Sequence, residues 1–409
     1  MSAVAPSAEA ELTPEKDGLL QRGRDNFRSG NLGSTPVIIG LIIISIFFSL
    51  TANNFFTAGN FTNIITQMVG TTMLAFGVVF VLLIGEIDLS ISYVSGIAGV
   101  VVAELTLPNR TVLGHHIPGL LAIVLAVAVC VAIGAFQGSF IALIGVPAFV
   151  VTLAGYEIWQ GAILKSINQG VIVIQDTTVN NTANYFFPQR TGWILAIVLV
   201  ALYTVNVLVG VVSRRRHSVA IKDPFLIVGK LVGIAVLAFV VVAICNRDRG
   251  VPFALLLIIV VLVILTFVAK RTTFGRHVYA VGGNAEAARR AGINVARVRM
   301  IVFMISSGMA GLGGVVLAAR LNSVDLNAGG GTLLIDAIAA AVIGGTSLFG
   351  GRGEVRDALF GSLVIAVIAN GLNTLNLTSG VIFMVTGLIL LFAVTLDTVL
   401  RRRQTKAGR

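Results

Sequence analysis

Two carboxylates stand two residues apart, Glu86 and Asp88, inside the stretch GEIDLSISYVSG (Gly85–Gly96), which is otherwise mostly apolar. A carboxylate placed in hydrocarbon is costly, so where one persists it usually binds, relays or fastens something. Because the pair falls between two apolar runs, a second reading stands beside contact with a substrate: a tight turn in which Asp88 caps the following helix. Thr346 and Ser347 lie among Gly344, Gly345, Gly350, Gly351 and Gly353. Backbone freed by such glycines survives at membrane depth only inside protein or beside a wet cavity, so the segment is read as either pathway lining or close helix packing. Gln137 and Asn370 add neutral hydrogen-bonding groups within long apolar runs. These residue types suit a neutral, hydroxyl-rich solute better than a proton. Redox and metal chemistry find little support, since Cys130 and Cys245 sit in apolar runs and His115, His116, His217 and His277 fall in expected loops. The chain contains no G-x-x-x-x-G-K-[ST] phosphate loop. The glycine string GMAGLGG at 308–314 has no strand before it and reads as packing.

The elements that position these residues are membrane spans. Of 409 residues, 56% are hydrophobic and 11% charged, against about a quarter charged in an average soluble domain. The mean hydropathy is +0.96. A span needs about 20 apolar residues, and about 12 transmembrane helices are expected, over 36–53, 64–84, 89–107, 117–144, 147–167, 193–212, 224–245, 252–269, 300–319, 332–349, 358–375 and 380–400. The fold class is therefore an all-α membrane protein. If the N-terminus is cytoplasmic, 22 of the 29 Lys and Arg residues fall on the cytoplasmic side and five outside, as the positive-inside rule requires. Both termini are then cytoplasmic. The net charge of +11 reads as topology and contact with membrane lipid, not as nucleic-acid binding.

Residues 1–35 lack the apolar core of a signal peptide and are expected to be a disordered cytoplasmic tail. Residues 36–400 are expected to form the transmembrane domain, with a cytoplasmic loop at 270–299, and 401–409 a basic cytoplasmic tail. The polar loop at about 168–192 is expected outside, within reach of a soluble partner. Segments one to five and eight to twelve form two groups of opposite orientation, an arrangement consistent with an inverted repeat.

The cytoplasmic stretch 270–299 contains a short helix-forming run. Asn284 is a plausible N-cap, Glu286 and Arg290 pair at i,i+4, and Gly292 can close the helix in the left-handed conformation. Isolated helices below about 12–15 residues are marginal, so this one requires a dock, either a groove in a soluble motor or the lipid headgroups.

The strings EIDLS (Glu86–Ser90), VPAFVVTLAG (Val146–Gly155), GRHVYAVGGNAEAARRAGIN (Gly275–Asn294) and DAIAAAVIGGTSLFGG (Asp336–Gly351) together resemble the ribose/xylose branch of bacterial ABC importer permeases. The two spans between 193 and 245, with RGVP at Arg249–Pro252, are similar to the longer, xylose-type members. The resemblance implies a permease of the bacterial cytoplasmic (inner) membrane that moves a monosaccharide, a pentose such as xylose by likeness. It implies a second permease copy, an ABC ATPase on the cytoplasmic face that uses ATP and Mg, and an extracytoplasmic sugar-binding protein. It implies no cofactor bound by this chain and no covalent chemistry. Glu286, Ala287, Ala288, Arg289, Arg290, Gly292 and Ile293 lie on its ATPase-coupling pattern E-A-A-x-x-x-G. Glu86, Asp88, Gln137, Thr346, Ser347 and Asn370 are the expected pathway residues. An ion-coupled secondary sugar carrier is the rival reading.

Overall fold

A computed structural model describes residues 35–108, 117–167, 170–217 and 224–406. Residues 1–34 of the expected N-terminal tail, His115 and His116, and the last three residues lie outside the described residues, while residue 35 already belongs to a helix and residues 401–406 of the expected C-terminal tail continue one. The described chain is helical throughout, with four strands of two or three residues.

The centre is a long helix, α2 (Ala58–Leu83), following the shorter α1 (Thr35–Thr51). Thr57 starts α2 by accepting the Asn60 N–H in its side chain, which satisfies one of the donors a helix leaves free at its N-terminus. Of its most apolar window 89% is buried, so α2 contacts protein on all sides rather than lipid. Short α3 (Ile91–Leu105), α4 (Gly119–Ser139, prolonged by a π-helical turn at Phe140–Ile144) and α5 (Ala148–Ser166) follow. The segment after α5 carries β1 (Val171–Val173), α6 (Thr177–Asn184) and β2 (Phe186–Phe187).

Next come the helices α7 (Gln189–Arg216) and α8 (Pro224–Cys245), then β3 (Val251–Pro252) and α9 (Phe253–Arg271). Two short helices, α10 (Thr273–Gly283) and α11 (Ala285–Arg290), lead into the long α12 (Val295–Leu321). The chain ends with β4 (Ser323–Asp325), α13 (Leu333–Ile343), α14 (Val355–Thr374) and α15 (Ser379–Lys406). Strand β1 pairs antiparallel with β4, and β2 with β3.

Helices in lipid lack a hydrophobic drive toward one another and associate through small residues that admit close contact. A Cβ on Gly77 of α2 would lie 2.9 Å from the Ser306 carbonyl oxygen of α12, and one on Gly134 of α4 would lie 2.4 Å from that of Phe303. The four helices α2, α3, α4 and α12 thus form the core. In contrast, only 6% of the apolar windows of α7 and α8 is buried. Their inward contact is a small cluster of Ala196, Val242, Cys245 and Val251 with Ile65 of α2, which leaves their remaining apolar surface for lipid.

Each of the twelve expected segments coincides with a helix, yet seven helices among the described residues are long and apolar enough to cross a bilayer. The difference has a clear source in two places. At about 1.5 Å per residue, the 15 residues of α3 and the 11 of α13 fall short of a hydrocarbon core of about 30 Å. The expected span 332–349 stays helical only to Ile343, where the glycines take over. His277, expected in a loop, lies on α10.

Candidate functional site

Between α2 and α3 the chain does not leave the protein. Gly85 takes a left-handed conformation (φ 76°), and the turn brings Asp88 to 3% exposure. Its Oδ1 accepts the Ser90 N–H at 3.0 Å and the Ser90 hydroxyl at 2.7 Å. Its Oδ2 accepts the Ser306 hydroxyl of α12 at 2.9 Å. Ser90 Oγ also lies 3.0 Å from Gln137 Oε1 on α4. One carboxylate therefore fastens the beginning of α3 to two other core helices, and the expected residues Asp88 and Gln137 meet through Ser90. The cap immediately before α3 is Ser90, and Asp88 supports it from two residues upstream. Gln137 Nε2 and the Ser92 and Ser307 hydroxyls are buried without a hydrogen-bond partner. A neutral polyol could satisfy such groups, as buried polar atoms ordinarily require.

Glu86 meets the same helix α12 nearer its start. Its Oε1 lies 2.8 Å from Arg299 Nε, in the second turn of α12, with the side chains 12% and 32% exposed. Thr346 and Ser347 are buried in the glycine-rich turn 344–354, which packs on the end of α2: the Gly351 N–H donates to the Leu83 carbonyl at 2.9 Å. Asn370 stands apart, with its Oδ1 accepting from Asn60 Nδ2 at the first turn of α2. The six expected pathway residues therefore occupy separate places. Asp88 and Gln137 are joined, Glu86 is two residues away on an ion pair, Thr346 and Ser347 lie in the glycine turn, and Asn370 is at the far end of α2.

The segment 272–294 has the local structure its residues dictate. Asn284 Oδ1 accepts the Ala287 N–H at 2.9 Å, capping α11. Glu286 pairs with Arg289 at 2.9 Å and Arg290 at 3.3 Å, and Gly292 closes the helix at φ 83°. Ala288 is buried against the protein, while Glu286, Arg289 and Arg290 are more than half exposed. The charged face thus remains open. The neighbouring α10 is locked to the core. Gly282 approaches α2 so closely that a Cβ there would lie 1.7 Å from the Leu83 carbonyl oxygen, and the Tyr279 hydroxyl donates to the Gly353 carbonyl at 2.7 Å. Burial, then the nearby Glu354 and Asp357 charges, push the Tyr279 phenol above its usual range and keep it a donor. Lys270 Nζ completes the junction with Glu354 at 2.7 Å.

Sequence reasoning missed Ser90, Ser306 and Arg299. A serine pair in an apolar helix, Ser306 and Ser307, was the available signal. Among the described residues there is no group of three or more His, Cys, Asp and Glu side chains placed to hold a metal ion.

Comparison with known proteins places this architecture. Residues 60–394 match a family described as branched-chain amino acid transport system/permease component. The chain belongs to this permease family. It is similar to the xylose transport system permease protein of Escherichia coli, at 35% identity over 98% of this chain and 100% of that protein. The corresponding protein of Haemophilus influenzae is 33% identical over 91% of this chain and 97% of its own length. The ribose import permease protein of Escherichia coli is 30% identical over 92% and 97%. The permease is a multi-pass inner-membrane protein of the ribose/xylose branch. No solved structure matches the chain.

Proposed function

We propose that this chain is the membrane-spanning subunit of an ATP-driven importer that carries a monosaccharide, xylose or a related pentose, across the bacterial inner membrane. The observation that carries the reading is α11: a six-residue capped helix with an open charged face, joined through α10 to the inner core helix α2. So short a helix gains its stability from what it docks on, and its rigid attachment to α2 passes any push directly into the core. ATP and Mg would be used by a separate ATPase seated on Glu286, Arg289, Arg290 and their neighbours, while this chain contributes binding and motion but no bond chemistry.

The N- and C-termini and the α10–α11 end face the cytoplasm in this reading, in agreement with the distribution of basic residues. The short α3 and α13 follow the two long core helices α2 and α12. Paired short helices in corresponding places of two halves are a pointer to a binding site. The solute path therefore runs beside the Asp88–Ser90–Gln137 group, where a neutral hydroxyl-rich ligand finds both donors and acceptors. A second copy of the chain completes the membrane unit, and a sugar-binding protein delivers to the opposite end, which carries the two strand pairs. The family description speaks of branched-chain amino acids. Full-length similarity to the xylose and ribose permeases favours a sugar.

The test is uptake by proteoliposomes holding the chain with its ATPase and binding protein, challenged with xylose, ribose, glucose and leucine. ATP-dependent xylose uptake supports the proposal. Leucine uptake would overturn the substrate, and uptake driven by a proton or sodium gradient without the ATPase would establish the secondary carrier.

A further inference from the structure

The α2 unit recurs in α12 with a constant spacing of 237 residues. Thr57 and Asn294 are both N-caps whose side chains accept the N–H three residues on. The helices they start, of 26 and 27 residues, end at Leu83 and, one residue beyond the 237 spacing, at Leu321. Gly77 and Gly314, again 237 apart, each lie where a Cβ would collide with another helix's backbone, 2.9 Å from the Ser306 oxygen and 1.9 Å from that of Ser95. Both helices close on a left-handed residue, Gly85 (φ 76°) and Asn322 (φ 52°). Ile-Asp-Leu at 87–89 then corresponds to Val-Asp-Leu at 324–326. Asp88 accepts the N–H of Ser90 at 3.0 Å, and Asp325 accepts that of Asn327 at 3.0 Å. A short helix follows each turn.

The two units run in opposite directions. Gly70 faces Leu317, whereas Gly77, farther along α2, faces Ser306, nearer the start of α12. The Asp88 turn therefore lies at the α10–α11 end and the Asp325 turn at the other.

The symmetry fails at the fastenings. The Asp88 turn is held to α12 by the Ser306 hydrogen bond and by the Glu86–Arg299 ion pair. The residues 237 before Ser306 and Arg299 are Val69 and Thr62, and the one 237 after Glu86 is Ser323. None of these can make the same contacts, and Thr62 spends its hydroxyl on the Ala58 carbonyl of its own helix. Asp88 is buried, while Asp325 is exposed. The second turn is held instead to β1 and α6, through the β4–β1 backbone pairing and through Asn184 Nδ2, which donates to the Ala319 carbonyl at 2.7 Å and to Asn322 Oδ1 at 3.1 Å.

We infer that Glu86, Asp88, Arg299 and Ser306 form a one-sided latch, which ties the α2–α3 turn to α12 and keeps it shut at the α10–α11 end, while the pseudo-symmetric turn around Asp325 makes no such contact with α2 among the described residues. The inference rests on the proposed transport function and gives it a resting state, closed toward the motor. It also supplies a release. Arg299 lines a groove of about 350 Å³ with Arg289, Gly292 and Asn294, so displacement of α11 reaches the Arg299 side chain. Glu86 Oε2 has no donor, and the pair is held at a single contact that a small movement breaks.

The test uses the full-length chain in lipid nanodiscs, with Cys130 and Cys245 replaced by alanine and a reporter cysteine introduced by Ser92→Cys. Ser92 is 1% exposed in the first turn of α3, directly behind the latched turn. The readout is the rate of maleimide labelling without nucleotide or sugar. Loss of a hydrogen bond to a charged group predicts that Ser306→Ala raises the rate about tenfold. Glu86→Gln acts in the same direction. Ser306→Thr, which keeps the hydroxyl, and the exchange Glu86→Arg with Arg299→Glu restore slow labelling, and Asp325→Asn leaves it unchanged. Parent-rate labelling in both Ser306→Ala and Glu86→Gln overturns the latch. So does equal acceleration by Ser306→Ala and Ser306→Thr, or by Asp325→Asn. Labelling needs neither partner nor substrate, so its failure leaves the transport assignment standing, whereas absence of ATP-driven uptake by the unmodified chain removes that assignment whatever the labelling shows.

Discussion

Asp88 illustrates how a charged residue becomes tolerable in an apolar protein: its two oxygens accept from Ser90 and Ser306 rather than facing hydrocarbon. The carboxylate was conspicuous in the sequence, but its partner was not, since Ser306 lies 218 residues away and a serine in an apolar helix has many bland explanations. The α10–α11 segment was readable in detail because its determinants are local. Asn284, Glu286, Arg290 and Gly292 interact within eight residues of one another. Gly292→Val places a branched side chain in the left-handed region, where the penalty is roughly 1–2 kcal/mol. A Cβ at Gly292 meets nothing within 4 Å, so the effect is conformational. The expected outcome is normal membrane insertion with ATP hydrolysis uncoupled from uptake, measured by parallel phosphate-release and uptake assays. Removing the cap by Asn284→Ala costs the helix about 1 kcal/mol and should weaken ATPase association several-fold in a pull-down titration.

At the scale of elements, the close packing of α2, α3, α4 and α12 accounts for the glycines on their facing surfaces, such as Gly77, Gly134 and Gly314. Gly314→Val would drive a Cβ to within 1.9 Å of the Ser95 carbonyl oxygen, a backbone atom that cannot move aside as a side chain can. Overpacking of this kind costs about 1–3 kcal/mol or more and should lower the melting temperature of the purified protein by several degrees. A methyl group added at Gly233 of α8 would meet nothing within 4 Å, so Gly233→Ala should leave the melting temperature unchanged or raise it slightly. Positions of the helices were legible from the apolar runs, but the shortness of α3 and α13 was not. α13 stops where Gly344 and Gly345 open the turn whose Gly351 N–H bonds to the end of α2, and α3 stops at Leu105, three residues before Pro108, which lacks the N–H a continuing helix needs.

For the whole molecule, the sequence suggested two groups of five helices, and the paired units α2 and α12 match that division. The α10–α11 segment interrupts the correspondence: residues 272–294 join α9 to α12, where residues 52–57 join α1 to α2. In the proposed function one half carries the contact for a motor and the other does not, which is also the half-to-half difference expressed in the latch. The orientation of the molecule has its own check. Asn181 is exposed on α6, and Asn181→Cys should react with an impermeant thiol reagent in intact cells, while protection until the membrane is opened would invert the topology.

The central claim is that the chain is a passive conduit moved by a separate engine at α11. Sugar uptake into proteoliposomes, measured with the ATPase partner present and then omitted, tests it most directly. ATP-dependent accumulation with the partner and none without it is the expected result, and accumulation at an equal rate in its absence would contradict the claim.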